Sequence, residues 1–181
     1  MALTKVTGAG IGTVTNQFAD ANMSAGSILQ MKNLVVTNSA TTTSTSFTDT
    51  GLFAAQFDNT LLSSSKVFAM MHCTIGQPYD GQWARLNYIT IFDGSTNVGN
   101  ANYGIAAGSP LGGSWSGTQY IQYDNCPLSG SVIFTPSSTN PTIKLAYKTF
   151  NNVSLRIGGN HNYGISAYYA ATHLMIAEIG G

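Results

Sequence analysis

The sequence predicts an all-β chain: an antiparallel β-sandwich of jelly-roll type with a short extended or partly helical amino-terminal arm. Three observations carry this expectation. About nine or ten short apolar stretches recur at roughly 8–15-residue intervals, the spacing of sandwich strands. Gly, Pro and Asn punctuate the intervals, and Gly alone accounts for 20 of 181 residues. No stretch sustains the 3.6-residue apolar period of a long helix, and no internal repeat marks a solenoid or propeller.

A chain of 181 residues with 43% hydrophobic content is long and apolar enough to bury a real core as one domain. The expected division is an arm over 1–25 and a sandwich over 26–181. Within the arm, residues 4–14 are Gly/Thr-rich, and 15–23 (TNQFADANM) could form one or two helical turns capped by Thr15 or Asn16. The arm reads either as a loose terminus or as a segment docking on a neighbour through Leu3, Val6, Phe18 and Met23.

The strand signals follow in order. Residues 27–37 carry Ile28, Leu29, Met31, Leu34, Val35 and Val36. The Thr/Ser stretch 41–48 reads as an exposed or edge strand, since β-branched Thr suits a pleated surface, and it leads to 51–57 (GLFAAQF). Residues 66–75 (KVFAMMHCTI) are apolar on both alternating sets, the pattern of a strand covered on two faces. Residues 83–93 (WARLNYITIFD) alternate loosely and end at the turn Asp93-Gly94-Ser95.

The Gly/Asn/Ser-rich stretch 97–118 reads as a long surface loop with Tyr103, Ile105, Leu111 and Trp115 as anchors or contacts. Strands over 119–123, 131–135 and 142–149 follow. In IKLAYK (143–148) the apolar residues face one side and both lysines the other. Residues 153–157 precede a second open loop, 158–164 (GGNHNYG). The stretch 171–179 (ATHLMIAEI) is expected to lie centrally in its sheet.

Charge narrows the function. Only 8% of residues are charged, seven basic and seven acidic, and the formal net charge is zero. An ordinary soluble chain carries roughly a quarter. Few groups are available to converge on a reacting atom, which argues against an enzyme. No Lys/Arg cluster exists to neutralise phosphates, so nucleic acid is not an expected partner. Zero net charge leaves no self-repulsion, which favours association of copies. The start of the chain lacks a signal-peptide apolar core, and no run approaches the ~20 apolar residues of a membrane span. Membrane insertion is therefore not expected.

Specific chemistries find little support. Asp20, Asp49, Asp58, Asp80, Asp93 and Asp124 mostly sit at turns beside Gly or Asn, where local hydrogen bonding accounts for them. A glycosidase pair would have to be assembled from these and Glu178 by the fold. His72 and Cys73 are adjacent in a strand, so they point to opposite faces and cannot share an ion. His161 and His173 lack metal-ligand spacing, although one His per subunit could meet its copies on a symmetry axis. No metal site and no cofactor is expected. Cys73 and Cys126 read as structural thiols, with a single disulfide as the alternative. The glycines of 112–117 (GGSWSG) permit tight turns and do not match a nucleophile elbow.

Aromatic residues near turns are the one enrichment with functional promise. Tyr103, Trp115 and Tyr163, with His161, are the candidate surface contacts, beside Asn and Gly in open loops. Rings next to amides suit sugars and protein surfaces, giving contact area at low entropy cost.

In order along the chain stand AGSILQ (25–30), TSTSFTDTGL (43–52), SSSKV (63–67), IFDGST (91–96) and the ending LMIAEIGG (174–181). With the opening MALTKV, this series resembles a phage virion family of tail-fibre and appendage proteins, especially those of cyanobacterial and marine phages. The resemblance covers 25–181 and implies a trimeric jelly-roll head at the distal end of a fibre, resident in the virion after assembly in the host cytoplasm. It implies a homotrimer, contacts with other virion proteins through 1–25, and a host-surface glycan or protein as receptor. It brings no catalytic residues. The longest members have a fibrous shaft that this sequence lacks, so a capsid decoration protein that braces the shell is a second reading. A lectin-like carbohydrate-binding module is a third.

Overall fold

The computed structural model describes residues 24–76, 86–108, 126–150, 152, 154–158 and 171–181. All regular structure among them is antiparallel β, in two sheets. The six-stranded sheet holds β1 (Ile28–Val36), β2 (Ala40–Thr42), β4 (Lys66–Gly76), β8 (Cys126–Phe134), β10 (Leu155–Ile157) and β11 (Thr172–Ile179). The five-stranded sheet holds β3 (Thr48–Asp49), β5 (Asn87–Asp93), β6 (Thr96–Asn97), β7 (Ala106–Gly108) and β9 (Ile143–Thr149).

The long strand β4 organises the first sheet, which curls into a half-barrel. One edge of β4 pairs with β8 along nearly its whole length. The other edge is shared, β11 taking Lys66 to His72 and β10 taking Ile75 and Gly76. β11 in turn carries β1, and β10 carries β2. The expected central place of 171–179 is therefore observed. In the second sheet β5 is the organiser, with β9 on one edge and β6 and β7 on the other. The turn at Asp93-Gly94-Ser95 closes β5 onto β6, with Gly94 at a φ of 62° that favours glycine.

One core joins the sheets. Ala69, Met71, Cys73 and Ile75 of β4, with Leu174 and Ile176 of β11, meet Ile89 and Ile91 of β5 and Ile143 and Leu145 of β9. All are fully buried, and the Met, Ile and Leu side chains among them each stabilise the fold by about 1.5–3 kcal/mol relative to exposure. A charged group lies among them. Glu178 is buried, and its carboxylate accepts bonds from Gln30 Nε2 (2.7 Å), the Leu62 amide (2.8 Å) and Ser65 Oγ (2.7 Å). Three donors offset the desolvation that a buried carboxylate would otherwise suffer.

Three expectations need correction. Residues 41–48 do not form one edge strand: β2 and β3 are edges of different sheets. Between them Ser44 Oγ accepts the Ser46 amide, and the Ser44 amide donates to Thr42 Oγ1. Such hydroxyl-to-backbone turns compete with a continuous ladder. Residues 97–108 are only partly surface loop: Asn97 ends β6 and Ala106–Gly108 form β7, while the turn-rich connection 98–105 exposes Tyr103 and anchors Ile105 on the core. The remainder of that stretch, and the arm over 1–23, lie outside the described residues. Finally, β4 is covered on both faces only over its last four residues, 73–76. Lys66, Met70 and His72 are exposed, Phe68 is half-buried, and the alternate residues Val67, Ala69, Met71 and Cys73 are buried.

Candidate functional site

The outward face of β4 belongs to a larger surface. Ladder register places Ile133, Phe68, Ala177 and Met31 in one row across β8, β4, β11 and β1. The next row is Ser131, Met70, Met175 and Asn33, and the third is Ser129, His72, His173 and Val35. No Asp, Glu, Lys or Arg occurs in the three rows. Four strands about 4.8 Å apart and three rows about 6.8 Å apart give a face of roughly 400 Å² in projection. Its exposed apolar side chains, Met31, Val35, Met70 and Ile133, are interspersed with neutral Ser, Asn and His. Met31 is 60% exposed and Met70 42%. The His72 and His173 rings lie side by side with centroids 6.3 Å apart, and His72 Nδ1 is 2.7 Å from Ser129 Oγ.

The outer face of the five-stranded sheet has a different character. In the β5–β9 register Tyr88 stands opposite Lys148. The Lys148 ammonium sits 4.6 Å from the Phe47 ring centroid and 5.2 Å from that of Tyr88. Lys144, on the same strand, is instead bound by the Asp49 carboxylate at 3.0 Å. Tyr103 packs its ring 6.0 Å from Tyr88. It is carried on a tight turn in which Asn100 Oδ1 accepts the amides of Asn102 (2.8 Å) and Tyr103 (3.0 Å). Gly104 closes that turn at a φ of 66°, where a Cβ would strike the Ile89 carbonyl. Thr45, Tyr88, Asn102, Tyr103, Lys148, Thr149 and Phe150 thus surround an open cleft of about 290 Å³.

Comparison with protein-family models and with curated proteins returns no match.

Of the surface contacts expected from sequence, Tyr103 lines this cleft. Trp115, His161 and Tyr163 lie outside the described residues, as do the arm anchors Leu3, Val6, Phe18 and Met23. Sequence reasoning missed Phe47, Tyr88, Lys148 and Phe150. Lys148 read as the solvated side of an amphipathic strand; its signal was the aromatic directly across the ladder, visible only once register is known.

The polar groups weighed for chemistry are engaged elsewhere. Asp58 pairs with Lys32 at 2.7 Å, and Asp93 Oδ2 accepts the Ser137 amide at 2.6 Å. With Asp49 on Lys144 and Glu178 in its three-donor pocket, the four described carboxylates serve separate structural tasks. Among the described residues no group of three or more His, Cys, Asp and Glu is placed to hold a metal. His72 and Cys73 do diverge, one outward and one into the core. Both cysteines are free. Burial, and secondarily the neighbouring Cys126, pushes the Cys73 thiol up to about 12, and burial also raises Cys126. Such a Cys73 is a small hydrophobe with negligible thiolate.

Proposed function

We propose that this chain is a non-enzymatic phage virion structural protein, a homotrimeric head that packs copies side by side and attaches the particle to a host surface. The observation that carries the packing is the three-row face of β8, β4, β11 and β1, which mixes exposed Met31, Val35, Met70 and Ile133 with neutral Ser, Asn and His and carries no Asp, Glu, Lys or Arg. A second copy of this chain is its occupant. The net charge of zero and the absence of Asp, Glu, Lys and Arg in the rows mean that the face brings no charge to be repelled or desolvated where a neighbouring copy packs on it around a three-fold axis. At about 400 Å², the face is half of the ~800 Å² per partner of a standard interface. It therefore serves as one part of a contact that extends beyond the three rows.

The virion setting rests on the ordered motifs over 25–181 and the EIGG ending. The jelly-roll type belongs to this proposal too, supported by β11 seated between β1 and β4. Residues 1–25 would join the head to other virion proteins, and the separate structural duties of the described carboxylates favour a role without catalysis.

Sedimentation at micromolar concentration tests the reading. A trimer is expected from the native chain, and a folded monomer from a Phe68→Asp, Met70→Asp double variant. A monomeric native chain overturns the assembly.

A further inference from the structure

We infer that the cleft between Tyr103, Lys148 and Phe150 is a binding site for an acidic saccharide, a pyranose bearing a carboxylate or sulfate. The inference rests on the attachment half of the proposed function and names its ligand class; it is independent of the trimer face, which lies on the other sheet.

The cleft supplies the three kinds of contact such a sugar requires. Tyr103 and Phe150 are 63% and 60% exposed, large rings left open at its wall. An aromatic face carries partial negative charge, so it accepts the weakly positive C–H groups that a pyranose presents on one side. The Asn102 amide and Thr45 hydroxyl are neutral groups able to donate and accept, as ring hydroxyls do.

Lys148 provides the charge selection. Lys32 and Lys144 each have a carboxylate within 3.0 Å, whereas Lys148 has two aromatic rings and no carboxylate partner among the described residues. Contact with ring faces orients the ammonium and leaves its N–H donors for an outside acceptor. An anion completes this arrangement. A second cation would be repelled, which argues against the quaternary-ammonium ligands that aromatic cages otherwise take.

Size agrees. At about 290 Å³ the cleft sits at the lower end of small-molecule sites, suited to one or two sugar rings rather than a buried cofactor. Binding at one open cleft is weak, and repetition over many copies on a particle supplies avidity.

Isothermal titration of the full chain with glucuronate, galactose 6-sulfate, glucose and inorganic sulfate tests the site. Both acidic sugars should bind saturably at millimolar concentration, with affinity falling as salt rises. Glucose and free sulfate should each bind at least tenfold more weakly. Lys148→Gln should lower affinity for the acidic sugars about tenfold and leave glucose unchanged, while Tyr103→Ala weakens all three sugars. A preference of one acidic sugar over the other tells carboxylate from sulfate recognition. Absence of saturable binding, equal binding of free sulfate, or unchanged affinity in both variants overturns the site. Melting and sedimentation of the same samples separate these outcomes from misfolding, and a trimer that binds no sugar rejects the cleft while leaving the assembly standing.

Discussion

Met70 and Met71 are neighbours in β4, yet one is 42% exposed and the other fully buried. The strand divides this way from 66 to 73. Val67, Ala69, Met71 and Cys73 face the core, while Phe68, Met70 and His72 face outward beside Met175, His173 and Ile133. Both faces carry large apolar side chains, so the presence of such residues alone does not tell core from interface. What differs is the partner: the second sheet covers one face, and a copy of the chain is the occupant proposed for the other. Substitutions on the two faces should therefore separate folding from association.

The largest effect belongs inside. Met71→Ala removes a fully buried side chain and should destabilise the isolated subunit by about 3 kcal/mol, lowering the melting midpoint by roughly 6–12 °C in calorimetry. Glu178→Gln keeps the shape but turns an amide NH₂ toward groups that are themselves donors. Chemical denaturation should register a loss of about 2 kcal/mol.

Cys73 adds a pH signature of the inner face. Its thiol is held at about 12 in the fold, above the unfolded value, so the protonated form favours the native state. That stability is fully present below about pH 9 and is lost as pH rises toward 12, with a slope of at most ~1.4 kcal/mol per pH unit. Urea midpoints of Cys73→Ala should fall less steeply over that window than those of the native chain; parallel curves would remove the assignment. The smallest effect belongs outside. Met70→Asp should change subunit stability by no more than about 0.5 kcal/mol, even as it disperses the trimer in sedimentation.

Much of the strand pattern was legible because alternation survives where one face is wet. Ile143–Thr149 is the clearest case: Ile143, Leu145, Tyr147 and Thr149 are buried with half-exposed Lys144 and Lys148 on the other face, where Ala146 alone is buried too. β7 was hidden because Ala106–Gly108 has no β-branched or large side chain to announce a strand. Its smallness has a reason: a Cβ on Gly108 would collide with Leu128, so the position allows close approach to β8. β4 misled for the opposite reason, since an unpartnered apolar face reads like a buried one in sequence. The cleft was half-legible, Tyr103 standing out in its Asn/Gly turn, while Tyr88 and Lys148 meet only through the pairing of β5 with β9.

The seat of β11 has a consequence for synthesis. The ribosome makes it after every other described strand, yet it fills the gap between β1 and β4, which emerge much earlier. Until it arrives, both neighbours offer unpaired backbone edges next to methionine-rich surface, a template for pairing with another chain. Sheets dominated by such distant pairings close in milliseconds to seconds. Crowded copies on one message would thus compete for the same edges, and a lower expression temperature should shift the yield from inclusion bodies toward assembled protein.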